Sequence, residues 1–256
     1  MRHLWAGLLV LLTAAAAFAD SGLRHASGGE DLAAFGAVGR LDLDGRGFCT
    51  ATLIDQRLVL TAAHCVLDAE GRPVPPETLT FLAGVSDGLA AAERHGKQVA
   101  VPESYDPARN DLANLASDFA LVALDRPVDP AVIAPIPAGR PGGRRVGVVS
   151  YAHDRPGRPS IQDDCEVLER REGALILSCL ADFGVSGSPV LRRGPAGFEL
   201  VSVVSAMAEA ENRARVSIGT GLATLHQLRA RIEDLPALGA RGARLGPIAS
   251  REEARH

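Results

Sequence analysis

Three short stretches of this chain could act together chemically. Thr61-Ala62-Ala63-His64-Cys65 puts a histidine beside a cysteine at the end of the apolar run Leu58-Val59-Leu60. Gly184-Val185-Ser186-Gly187-Ser188-Pro189 sets a serine between two glycines, and Ser117-Asp118 stands just ahead of Phe119-Ala120-Leu121-Val122-Ala123-Leu124. A serine hydroxyl is barely ionised at neutral pH. It attacks a carbonyl only when a base takes its proton, and the base needs a third group to fix its tautomer and steady its charged form. His64 suits the base, Asp118 the orienting carboxylate and Ser186 the nucleophile. At the edge of a core strand, Asp118 would be partly desolvated and would hold an imidazolium more strongly than in water. Gly184 and Gly187 permit a sharp turn, so that the N–H groups of Gly184 and Ser186 can converge as an oxyanion hole. Losing one such donor raises a barrier by about 2.7–4 kcal/mol.

Each piece alone has a plainer reading. A histidine near a cysteine is commonly structural, a glycine–serine loop is a turn, and an aspartate before a strand is a cap. The order His, Asp, Ser with these flanks favours the joint reading. Rival residues fit less well: His25 lies in the lead-in, His95 in a charged loop, His226 on a helix and His256 at the terminus. His153, in a polar loop after Tyr151, is the best of the remainder, while Asp111 and Asp125 sit beside turn residues. Taking Ser188 as nucleophile would misplace the glycine pair. An esterase elbow of the G-x-S-x-G type needs glycine where Ser188 stands, and its triad runs in another order.

The elements that must position these residues read as short strands separated by turns. A first set is expected at Gly36–Leu43, Phe48–Ile54, Arg57–Leu60, Leu79–Ala83, Gln98–Val101 and Phe119–Leu124. A second set follows at Val146–Tyr151, Cys165–Glu169, Ala174–Cys179, Ser188–Arg192, Phe198–Ala206 and Val216–Gly219. Between them Asp125–Arg145 is rich in proline and glycine, which marks a connection. Many short strands indicate a sandwich or barrel rather than a parallel α/β sheet. Leu222, Leu225, Leu228, Ile232 and Leu235 share one helical face, so a helix is expected at 222–235. Residues 20–33 read as a flexible lead-in or short propeptide, and 239–256 as a disordered tail.

The N-terminus has the form of a secretory leader over residues 1–19: Arg2, the apolar Leu4 to Leu12, then Ala17-Phe18-Ala19 before Asp20. Export follows, to a periplasm or out of the cell, with no membrane attachment after cleavage. In an oxidising compartment four cysteines suggest two disulfides, and count alone allows three pairings. The local one, Cys49–Cys65 and Cys165–Cys179, is expected because each bond closes a short loop between adjacent strands. Such loops contribute about 3 kcal/mol each in the chain-entropy model. No C-x-x-C pair supports a zinc site, and no metal or organic cofactor is implied. A formal charge of −4 over 256 residues argues against a nucleic-acid or anionic-membrane partner. A monomer acting on protein or peptide is expected.

With these residues assembled, the chain resembles the trypsin/chymotrypsin-like serine proteases, and among them the bacterial secreted branch related to glutamyl endopeptidases. The matching stretches are Phe48–Ile54, Val59–Val66, Asp118–Leu121 and Gly184–Val190. Over about residues 34–235 the resemblance implies an all-β fold of two perpendicular six-stranded Greek-key barrels, about 34–124 and 146–221, with a C-terminal helix. His64 and Asp118 would come from the first barrel and Ser186 from the second. It also implies a secreted endopeptidase working through an acyl-enzyme; a silent binding module on the same fold is the alternative.

The departures matter. Val185 replaces the aspartate that receives a new N-terminal amine in the animal enzymes, and the Ile-Val-Gly-Gly start is missing. The resemblance places Leu180 at the base of the primary pocket and Ser205 and Ala206 on its wall. No carboxylate stands there for Arg or Lys, and no histidine in Val216–Gly219 for Glu. A small or apolar side chain is expected at the cleavage site.

Overall fold

The computed structural model describes residues 24–26, 29–140, 142–180, 185–210 and 215–234. The expected leader, the 239–256 tail and Gly184 lie outside the described residues. The chain enters on strand β1 (Arg24–His25) and helix α1 (Gly29–Phe35). Six antiparallel strands then close into a barrel in the order β2-β3-β4-β7-β6-β5. They are β2 (Val38–Leu43), β3 (Phe48–Asp55), β4 (Leu58–Thr61), β5 (Leu79–Ala83), β6 (Ala92–Ala100) and β7 (Ala120–Leu124). Asp44 and Gly45 both take positive φ at the centre of the turn that Arg46 N–H closes on the Leu43 carbonyl between β2 and β3. A short helix, α2 (Leu112–Leu115), precedes β7; Asp111 caps it by accepting the Asn114 N–H.

The second half comprises β8 (Arg145–Ala152), β9 (Arg155–Arg171), β10 (Ala174–Leu177), β11 (Pro189–Gly194), β12 (Gly197–Glu209) and β13 (Arg215–Gly219). Here the expectation of six strands needs correction: the sheet has seven, because β1 adds to β9. Strand β8 pairs with both β9 and β11. The segment expected to be a lead-in thus carries secondary structure, and Ala26 is buried with its N–H on the Pro159 carbonyl at 3.0 Å. The described residues of 125–144 contain no strand and are held by both halves. Ile136 N–H donates to Leu53, and Gly139 N–H to Leu200.

Two strands are longer than the sequence pattern suggests. Pro156, Gly157 and Pro159 argue against a strand, yet β9 begins at Arg155. The register of β9 against β8 shifts between Ser150 and Ala152, and a bulge tolerates residues that cannot donate to a ladder. Strand β6 starts at Ala92 because Glu93 and Lys97 leave their charges in solvent while the backbone pairs.

Helix α3 (Leu225–Asp234) closes the described chain, burying Leu228 and Ile232 against the first barrel. One apolar cluster runs from that helix through the barrel into Val149, Tyr151, Ile161, Leu191 and Val203 of the second half. Both disulfides have the local pairing, Cys49–Cys65 and Cys165–Cys179.

Candidate active site

Strand β4 runs fully buried to Thr61 and breaks into a single 3-10 turn, Ala63–Cys65. The Cys49–Cys65 bond ties that turn to β3, so His64 projects from a short, doubly anchored segment. Its backbone N–H donates to Asp118 Oδ1 at 3.0 Å, and its ring Nδ1 lies 2.7 Å from Asp118 Oδ2. The Asp118 side chain is 2% exposed whereas that of His64 is 36% exposed, so the pair is buried at the acid and open at the base. Burial alone would push the Asp118 carboxyl up. The hydrogen bond and charge of His64, the Ser205 hydroxyl and the His64 N–H outweigh it and hold the carboxyl below its ordinary range. A carboxylate only accepts hydrogen bonds, so Nδ1 carries a proton toward it, and in the neutral ring the lone pair is then on Nε2.

Ser205 donates to the same Asp118 Oδ2 at 2.5 Å. The reason lies in β12, where the register against β13 shifts between Val204 and Ala206 and frees Ser205 from the ladder. The sequence places Ser205 on a pocket wall; in the structure its hydroxyl is buried and donates to the carboxylate, a contact that the sequence did not reveal. Tyr105 escapes the sequence reading altogether. Its phenol is pushed up, first by burial and then by the neighbouring charge of Asp118, and no motif marks it. The loop that carries it is built on buried Asn114, which accepts from Asp106 N–H and donates to the Asp106 and Arg109 carbonyls.

The Ser186 turn belongs to the second half but is held by the first. Thr50 N–H donates to the Ser186 carbonyl at 2.9 Å. Gly187 takes φ +81°, and a Cβ there would fall 2.1 Å from the Thr50 carbonyl and 2.3 Å from Thr61 Oγ1. Only a hydrogen fits this close approach. Thr61 Oγ1 in turn donates to the Thr50 carbonyl at 2.9 Å, and Thr50 Oγ1 accepts from Tyr151 N–H at 2.9 Å. Tyr151, wholly buried, donates its hydroxyl to the Val85 carbonyl at 3.1 Å. Ser186 is therefore set at the seam beside β3, next to the strand whose Cys49 anchors the histidine turn.

The other sequence candidates separate on position. Ser188 is 0% exposed, so its hydroxyl cannot reach a substrate. His153 stacks on Phe48 at 4.6 Å, Asp111 caps α2, and Asp125 accepts the backbone N–H of His95. Val185 is buried in the apolar core of the second half. Leu180 donates its N–H to Gln162 Oε1, and Ala206 packs beside Ala174, Val216 and Ile218. Ring nitrogens of His64 and the sulfurs of Cys49 and Cys65 lie within 4.8 Å of one another. Both sulfurs are consumed in the disulfide, so this cluster offers no thiolate to a metal.

A family model described as Trypsin matches residues 30–227. Serine protease 23 of Bos taurus is 29% identical over 167 residues, which is 57% of this chain and 44% of that protein. The Homo sapiens protein of the same name is 28% identical over 166 residues, 57% of this chain and 43% of its own length. The chain thus spans less than half the length of these curated relatives. Among solved structures, a Glu endopeptidase in complex with MPD superposes with a TM-score of 0.69 at 17% identity, covering 85% of this chain and 99% of that one. Protease Anisep from Arthrobacter nicotinovorans gives 0.58 at 14% identity, covering 73% and 90%. At these identities the two structures show a shared fold.

Proposed function

Because the chain belongs to the trypsin family, we propose that it is a serine endopeptidase with the triad His64, Asp118 and Ser186. The observation that carries this reading is the buried Asp118 carboxylate bonded to His64 Nδ1, at the seam where the Ser186 turn is pressed. His64 Nε2 takes the Ser186 proton as Oγ attacks the scissile carbonyl. The N–H groups of Ser186 and Gly184 receive the oxyanion, and His64 returns the proton to the leaving amine. Water then releases the acyl group by the same path in reverse roles. Ser205 acts on Asp118, keeping the carboxylate charged and aimed.

We also place the protein in the bacterial exported branch. The leader-like N-terminus and the resemblance of the motif stretches to that branch support this reading. Its substrates are proteins or peptides. Leu180 and Ala206 favour a small or apolar side chain at the cleavage site, and buried Val185 means that activity does not wait for an ion pair with a new N-terminus. A peptide-library digest tests the whole reading. The expected result is cleavage after small or apolar residues, with kcat lower by on the order of 10⁶ in Ser186→Ala. Dominant cleavage after Glu or Arg would contradict the specificity. Absence of cleavage by the folded protein would leave a binding module on a protease fold.

A further inference from the structure

Strand β9 has two edges. Strand β8 takes one of them, from Arg145 opposite Glu166 to Ala152 opposite Arg155. Three pieces of chain share the other. Strand β10 pairs along residues 167–171. Residues 178–180 come next. Ser178 N–H donates to the Glu166 carbonyl at 2.9 Å, and the Ser178 hydroxyl accepts the Glu166 N–H at 2.8 Å. Cys179 is bonded to Cys165, and Leu180 N–H donates to Gln162 Oε1 at 2.8 Å. Strand β1 then continues the edge, with Arg24 opposite Ile161 and His25 opposite Ser160. It thus adjoins the segment 178–180, which leads in sequence to the Ser186 turn.

Two paired residues hold a strand only weakly, and the rest of the N-terminal segment fastens this one. Ala26 is buried, and its N–H reaches the Pro159 carbonyl at 3.0 Å. Arg24 spans Asp31 of α1 and Asp163 of β9 at 2.7 and 3.2 Å. These ion pairs are partly exposed and add little, so apolar packing carries more. Helix α1 buries Phe35, whose ring centroid lies 4.9 Å from that of Phe198 on β12. Beyond it the Ala37 carbonyl accepts Leu53 N–H from β3, at 2.8 Å. The segment therefore runs from the edge of the second half to the first barrel. Short edge pairings open at low cost, and a bare edge presents unpaired backbone groups. Here those groups would lie on β9, next to Gln162.

We propose that residues 24–35 are a retained strap whose first strand steadies the segment feeding Ser186. Trimming of the N-terminus past Arg24 then acts as an off switch: it loosens residues 178–180 and lowers reactivity at Ser186. The effect on Ser186 rests on the peptidase reading, whereas the effect on residues 178–180 does not.

Amide exchange read by NMR tests this on two chains, one beginning at Asp20 and one at Gly29, which keeps α1 and lacks β1. Without β1 the amides of Ser178 and Leu180 should exchange about tenfold faster, the effect of losing about one hydrogen bond. Those of β3 and β4 should exchange as in the longer chain. Fluorophosphonate labelling of Ser186 should slow by about tenfold. A synthetic peptide of residues 20–28, at millimolar concentration, should restore both, which separates a missing strap from a damaged fold. Should the shorter chain not fold, Ala26→Pro in the longer one removes the N–H given to Pro159 and should speed the same amides. Unchanged exchange at Ser178 and Leu180, equal acceleration across both halves, no rescue by the peptide, or labelling at the parent rate would overturn the proposal. If the longer chain takes no label, the peptidase reading falls, and the exchange rates alone decide the strap.

Discussion

The two halves of the molecule prepare their share of the site in different ways. In the first barrel His64 and Asp118 are 54 residues apart but joined by two hydrogen bonds, and a disulfide braces the histidine turn from behind. Base and acid are assembled inside one closed barrel. In the second half the Ser186 turn takes its anchors from across the seam, at Thr50 and Thr61. Ser205 reaches the other way, to Asp118. The His64–Asp118 pair thus forms within its half, whereas the position of Ser186, the proposed nucleophile, is a property of the packing between halves.

Changes on the first side should therefore alter chemistry with little change in fold, and changes at the seam should alter both. Asp118→Asn leaves the shape intact but presents an amide where a carboxylate fixed the Nδ1 proton. We expect kcat to fall about 10⁴-fold, with only the modest fall in melting temperature that follows from losing the stabilised carboxylate. A large loss of stability would show that the pair is not self-contained. Gly187→Ala is the corresponding seam test. The new methyl meets the Thr50 carbonyl and Thr61 hydroxyl at a positive φ, so the turn must shift. A displacement near 1 Å costs about 10²-fold in rate, with a destabilisation of at least about 2 kcal/mol by denaturant melt. An unchanged rate would remove the seam from the account.

Ser205→Ala probes the contact running the other way. Losing a hydrogen bond to a charged group is worth about 1.5–3 kcal/mol, and we expect kcat lower by about tenfold, with KM little changed. A change confined to KM would show that Ser205 acts through the pocket and not through Asp118. The smallest effect concerns acid. Asp118 is held below its ordinary range in the folded protein. Its contribution to stability is therefore full above the unfolded carboxyl value near 3.9, and is lost as pH falls through the lower folded value. Asp118→Asn should flatten the melting profile below about pH 4 relative to the parent, and leave its slope above pH 5 unaltered.

The legible parts of this chain are those whose reasons are local. Leu79–Ala83 alternates and is bounded by turn residues, so its strand ends are readable from sequence. Thr61–Cys65 and Asp118–Leu124 carry their meaning in residue type and order. The hidden parts have distant causes. The first half of β9 looks like a loop because of its prolines, and a bulge against β8 reconciles them. The turn of Ser205 toward Asp118 comes from a register shift in β12, which no spacing reveals. Tyr105 comes beside Asp118 through a loop organised by Asn114, and the seventh strand forms only when Arg24–His25 meets β9.

The central claim is that His64, held by Asp118, activates Ser186 across the seam. Labelling with a fluorophosphonate, followed by peptide mapping, tests it most directly. The account predicts one phosphonylated residue, Ser186, in the folded protein, with labelling lost in His64→Ala and slowed in Gly187→Ala. Modification at another serine, or labelling that persists at the parent rate without His64, would contradict it.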